Sequence, residues 1–108
     1  MKEIKAYIKP HKLSAVTLEL NKIEKFPGMS ICEVRGFGAT KGKYESTDQD
    51  ESLNEYEPHI KIEIVCDDLQ ETSIVDVIKQ TAHTGLRGDG NIYVYDVQKV
   101  IRINEEDV

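Results

Sequence analysis

Tryptophan is absent from this 108-residue chain, cysteine and methionine occur twice each, and proline occurs three times. No apolar run approaches the roughly 18 residues that a membrane helix needs, so direct membrane insertion is not expected. A positively charged leader ahead of an apolar stretch is also missing, which makes the cytoplasm the expected location. The two cysteines, Cys32 and Cys66, have no CxxC or Cys/His spacing around them. Both fall in alternating strand patterns and are expected as buried, reduced thiols, ahead of a cross-strand disulfide or a soft-metal site. Basic excess is lacking too: 14 Lys and Arg stand against 20 Asp and Glu, for a net charge of −6. Nucleic acid is therefore not an expected partner, and anionic membrane surfaces would repel the chain. No acid–base pair or nucleophile–base spacing stands out, so no catalytic residue is assigned and a non-enzymatic protein is expected.

What the chain does contain is a pair of glycine-centred turns, Gly36-Phe37-Gly38 and Thr84-Gly85-Leu86-Arg87-Gly88-Asp89-Gly90. Glycines let backbone N–H groups approach an anion without side-chain interference, and the two turns read together as halves of one phosphate cradle. Taken singly, each reads more simply as a strand exit or a tight turn. Metal ligands are not assigned. His11, His59 and His83 fall at element ends, where exposed imidazoles are ordinary.

Hydrophobic periodicity lays out one domain over residues 1–108. Ile4, Ala6 and Ile8 alternate with polar neighbours up to Pro10, the pattern of a half-buried strand. Leu13, Val16, Leu20 and Ile23 then predict a helix from about His11 to Glu24. Met29 to Phe37 carries strand content. Residues 39–58 read as a long polar loop, followed by a clear strand through Ile60, Ile62, Ile64 and Cys66. Asp67-Asp68 predicts entry into a second helix with Ile74, Val75, Ile78 and Ala82 as its buried stripe, fraying near His83. A strand from Ile92 to Val97 follows, and Val100 to Ile103 predicts its continuation or a short extra strand. Residues 105–108 form an acidic tail.

The order βαββαβ predicts an α+β, ferredoxin-like fold: an antiparallel sheet, two helices on one face, and the long loop between strands 2 and 3. Tyr7, Val65, Tyr93 and Tyr95 then fall on the helix-free face. An aromatic face left uncovered is costly, and an oligomer is the expected remedy.

A family resemblance rests on groups that run through the chain in order. They are Ile8-Lys9-Pro10 with Lys12-Leu13, Gly28-Met29, Glu33-Val34-Arg35-Gly36-Phe37-Gly38, Lys41-Gly42 and Lys61-Ile62-Glu63-Ile64-Val65. Thr84-Gly85, Gly88-Asp89-Gly90 and Val100-Ile101-Arg102-Ile103 complete them. Any one is weak, but their joint order is specific. With them the chain resembles the P-II signal-transduction proteins, trimeric sensors of adenine nucleotides and 2-oxoglutarate.

The resemblance implies a homotrimer with an adenine nucleotide (ADP, AMP or ATP) as effector in each inter-subunit cleft. Tyr7, Ser30, Glu63 and Val65 would lie on the adenine side. Gly36, Phe37, Gly38, Lys41, Thr84, Gly88, Asp89, Gly90 and Arg102 would surround ribose and phosphates, with backbone amides and the two cations meeting the charge. The long loop would be the arm that docks on a target protein, a membrane transporter or a metabolic enzyme.

Departures from the family pattern cluster at the effector. The glutamine that holds magnesium is Thr40 here, which leaves magnesium's part open, and the lysine that pairs the keto-acid carboxylate is His59. A neutral imidazole is a poor match for that ammonium, so little response to 2-oxoglutarate is expected. The phosphate lysine is Asn91 and the second C-terminal arginine is Asn104, with Arg87 as a candidate replacement. The tyrosine that enteric relatives uridylylate is Ser52, with Tyr44 and Tyr56 nearby. From Glu45 to Glu57 the arm holds six carboxylates, Glu45, Asp48, Asp50, Glu51, Glu55 and Glu57, and no Lys or Arg, so it is expected to order against a basic surface. Two other readings stay open: a trimeric P-II-like or metal-tolerance protein sensing metal or bicarbonate, and a small acylphosphatase-like hydrolase on the same fold.

Overall fold

A computed structural model describes residues 1–37 and 56–104. The expected loop positions Gly38, Lys41, Tyr44, Glu45, Asp48, Asp50, Glu51, Ser52 and Glu55, together with the tail, lie outside the described residues. Four strands, β1 (Lys2–Ile8), β2 (Ser30–Phe37), β3 (Tyr56–Cys66) and β4 (Ile92–Asp96), form one antiparallel sheet in the order β2-β3-β1-β4. Helices α1 (Leu13–Leu20) and α2 (Glu71–Ala82) complete the α+β, ferredoxin-like arrangement.

Period-2 alternation decides the two faces. Ile4, Ala6 and Ile8 on β1 and Ile60, Ile62, Ile64 and Cys66 on β3 are buried against Val16 and Leu20 of α1 and Ile74, Ile78 and Ala82 of α2. No polar side chain is buried among the described residues. Burial pushes the Cys66 thiol above its ordinary range, as suits a small core hydrophobe. On the other face Tyr7 meets Tyr93 edge to face, with ring centroids 6.1 Å apart, and Val65 and Tyr95 stand exposed.

Four expectations need correcting. The first helix ends at Leu20 rather than Glu24. Asn21 caps it, Lys25 turns left-handed at φ 59°, and Ile23 and Phe26 reach the core from a turn that continues the apolar spacing without the helix. Gln70 holds that turn by donating to the Lys25 carbonyl at 3.0 Å. β3 begins at Tyr56, so Tyr56, Glu57 and Pro58 belong to a strand and not to the loop, because β2 offers partners as far as Phe37. Val100 to Ile103 forms no strand and is exposed. β4 closes where the Val97 N–H donates to the Met1 carbonyl at 3.0 Å. Cys32 is exposed, since it lies on edge strand β2 opposite Lys61, on the helix-free face.

Candidate functional site

The glycine loop after α2 is organised from within by Asp89. Its carboxylate accepts from the Thr84 N–H at 2.9 Å, from the Gly85 N–H at 3.2 Å and from the Thr84 hydroxyl. The Thr84 oxygen in turn accepts from the Leu86 N–H at 3.0 Å. Lys9, at the end of β1, closes the cluster from outside, 3.3 Å from the Asp89 carboxylate and 3.2 Å from the Thr84 hydroxyl. Sequence reading grouped Lys9 with the family markers and gave it no site role. The available signal was a lysine beside Pro10, where strand pairing stops and a side chain can turn toward a neighbouring loop.

These donors, with the Thr84 hydroxyl and N–H foremost, hold the Asp89 carboxyl well below the usual carboxylate range. A depressed folded-state value contributes stability above the ordinary carboxylate range of about pH 4, and that contribution is lost only as pH falls through the lowered value. Asp89 therefore serves this loop as an internal acceptor. The Asp89→Asn variant should expose the Thr84 and Gly85 amides to faster hydrogen exchange at neutral pH, whereas the native loop should keep its protection down to about pH 4. Equal exchange in both proteins would remove Asp89 from this role.

Left-handed glycines shape the rest: Gly85, Gly88 and Gly90 have φ of 83°, 79° and 100°. At Gly90 the constraint is also steric, because an added Cβ would lie 1.7 Å from the Tyr7 carbonyl oxygen. The Tyr7 N–H donates to the Asn91 carbonyl at 2.9 Å, so the loop is sewn to the end of β1. From β3, His59 reaches the same loop, with Nε2 3.1 Å from the Gly88 carbonyl oxygen. His59 is half-buried and not an exposed strand-end imidazole as expected, while His11 and His83 are exposed.

The expected ligands fall into two groups. Tyr7, Thr84, Gly88, Asp89 and Gly90 gather at one end of the sheet, and His59 connects them to the edge where Gly36 and Phe37 end β2. Phe37 stacks obliquely on Tyr56, with centroids 5.3 Å apart. At Gly36 an added Cβ would meet only ordinary contacts, with the His59 Nδ1 at 3.9 Å and the Glu57 carbonyl at 4.0 Å. Ser30 and Glu63 are register partners further along the strands, with Val65 beyond them. Gly36 and Ser30 are six residues apart on β2, about 20 Å at strand rise, whereas Glu63 lies two residues along β3 from Lys61, the register partner of Tyr7. Arg87 and Arg102 are exposed and make no ion pair among the described residues. No group of three or more His, Cys, Asp or Glu side chains gathers to hold a metal among the described residues.

A family model described as Nitrogen regulatory protein P-II matches residues 1–107. With the ferredoxin-like sheet and its organised glycine loop, that match defines a signalling regulator. The chain belongs to the P-II nitrogen regulatory protein family. Similar relatives include the Nitrogen regulatory protein P-II of Pasteurella multocida (strain Pm70), 46% identical over 103 residues that cover 95% of this chain and 91% of the relative. Nitrogen regulatory protein P-II 1 of Escherichia coli (strain K12) is 46% identical over 109 residues, covering 99% and 96%. Among the described residues no helix is long and apolar enough to cross a membrane.

Proposed function

We propose that this regulator binds an adenine nucleotide at the glycine loop and passes its occupancy to a target protein through the acidic arm between β2 and β3. The observation that carries the reading is the loop from Thr84 to Gly90. Asp89 and Lys9 hold it, left-handed glycines free its backbone for close approach, and His59 links it to the β2 end at Gly36. The distance of Ser30 from the Gly36 end of β2 favours a homotrimer in which two chains each supply part of the site. Tyr7, Tyr93, Tyr95 and Val65 on the helix-free face supply apolar surface for such an assembly. Asn91 and Asn104 stand where cations would strengthen a triphosphate contact, so ATP gains little over ADP or AMP, and Thr40 and His59 leave 2-oxoglutarate little to add. The arm's carboxylates suit a basic target surface, a membrane transporter or a metabolic enzyme, in the cytoplasm.

Calorimetric titration with ATP, ADP and AMP, with and without magnesium and 2-oxoglutarate, tests the reading alongside light scattering for the trimer. The native protein should bind adenine nucleotides. A folded Gly88→Val variant should bind about ten- to a hundredfold more weakly, because a β-branched residue is strained at φ 79°. Unchanged affinity in that variant would take the loop out of the site, and strong tightening of ATP by 2-oxoglutarate would overturn the reading of Thr40 and His59.

A further inference from the structure

Both ring nitrogens of His59 face backbone carbonyls: Nε2 lies 3.1 Å from the Gly88 oxygen, and Nδ1 lies 3.4 Å from the Glu57 oxygen. A carbonyl oxygen only accepts, so each contact requires an N–H on the imidazole. Neutral imidazole carries one N–H and imidazolium carries two. We propose that His59 is a proton-operated latch that ties the glycine loop at Gly88 to β3 when protonated and loosens it when neutral. The proposal goes beyond nucleotide binding and does not depend on it, because both acceptors belong to the backbone of this chain.

In the neutral ring the single N–H is shared between two tautomers. Donation to Gly88 leaves the Nδ1 lone pair against the Glu57 carbonyl, and donation to Glu57 abandons the loop. Protonation satisfies both acceptors at once and makes each bond charge-assisted. Closure is therefore tighter with the imidazolium than with the neutral ring.

The charged groups around the ring come from β3, β2, β1 and the glycine loop. On β3, Glu57 and Lys61 flank His59 at two residues' distance, with Lys61 3.8 Å from Glu63. On β2 its register partner is Val34, and Glu33 and Arg35 line the same pocket of about 560 Å³. Arg87 and Asp89 come from the loop, and Lys9 from the end of β1 pairs with Asp89. Asp89 is held as carboxylate far into acid. Carboxylates, lysines and arginines ordinarily titrate outside the window of about pH 5 to 8, which leaves the imidazole as the responsive group.

The test is amide hydrogen exchange of the ligand-free full chain from about pH 5 to 8, corrected for the intrinsic pH dependence of exchange, with imidazole ¹⁵N shifts recorded in parallel. In the native protein, protection across Leu86 to Gly90 should fall roughly three- to tenfold as His59 loses its proton. His59→Gln should abolish that dependence, and His83→Gln, on the exposed imidazole beside the loop, should preserve it. Flat protection in the native protein overturns the latch, as does a dependence that survives His59→Gln or disappears with His83→Gln. Should His59→Gln fail to fold, the native ¹⁵N titration and the His83→Gln comparison still decide. Because no nucleotide is added, the outcome is separate from whether the loop binds one.

Discussion

Gly90→Ala should destabilise the protein by about 3–5 kcal/mol, close to the largest effect a single methyl can have. The new Cβ would stand 1.7 Å from the Tyr7 carbonyl oxygen and 2.7 Å from its carbon, both backbone atoms. Tyr7 cannot retreat, since β1 is a central strand with β3 on one side and β4 on the other. Gly28→Ala is the matching control. Its φ of 103° is nearly the same as the 100° at Gly90, but no atom lies within 4 Å of an added Cβ there. That variant should lose about 1–2 kcal/mol, the conformational cost alone. Urea unfolding of both variants at one protein concentration measures the difference. Equal midpoints would show that the loop yields and that the Tyr7 contact is not what requires glycine.

Ile62→Ala should cost about 2–5 kcal/mol, and Ile31→Ala, directly opposite in register, should cost about 1 kcal/mol within an isolated chain. Ile62 is 0% exposed on β3 between β2 and β1, and its loss leaves a cavity in the core cluster it shares with residues of both helices. Ile31 is 50% exposed on β2, a sheet edge with no strand beyond it among the described residues. Unfolding followed by far-UV circular dichroism separates the two. A cost at Ile31 as large as that at Ile62, growing with protein concentration, would place a second subunit over the β2 edge.

Both variants probe how far local pattern carries. Alternation over Ile60 to Cys66 and Ile4 to Ile8 identified the core strands, and the spacing of Ile74, Ile78 and Ala82 identified the buried face of α2. Those patterns are written in residues a few positions apart, where backbone geometry alone decides which side chains share a face. The same rule failed past Leu20, since Ile23 and Phe26 kept a helical spacing while reaching the core through a left-handed turn at Lys25. It also failed at Val100 to Ile103, whose apolar alternation suits a strand but finds no strand beside it within the described residues. Alternation states a preference for pairing; a neighbour with free backbone groups must supply the pairing.

The family of the chain was legible because its markers are short and local: Gly36-Phe37-Gly38, Thr84-Gly85 and Gly88-Asp89-Gly90 each read within a few residues. The chemistry of the site was not. Lys9 meets Thr84 across 75 positions and His59 meets Gly88 across 29, and no window of sequence contains either pair. Glycine at position 90 reads locally as a turn residue, but the Tyr7 carbonyl of a distant strand supplies a second reason for it. Strand order brings β1 and β3 beside the loop that follows α2, and with that arrangement Asp89 becomes an internal acceptor and His59 a bridge. Side-chain identity and spacing were enough for the elements and the family, since both depend on neighbours along the chain. The roles of Lys9, His59, Asp89 and Gly90 depend on neighbours through space, and those exist only once the sheet has closed.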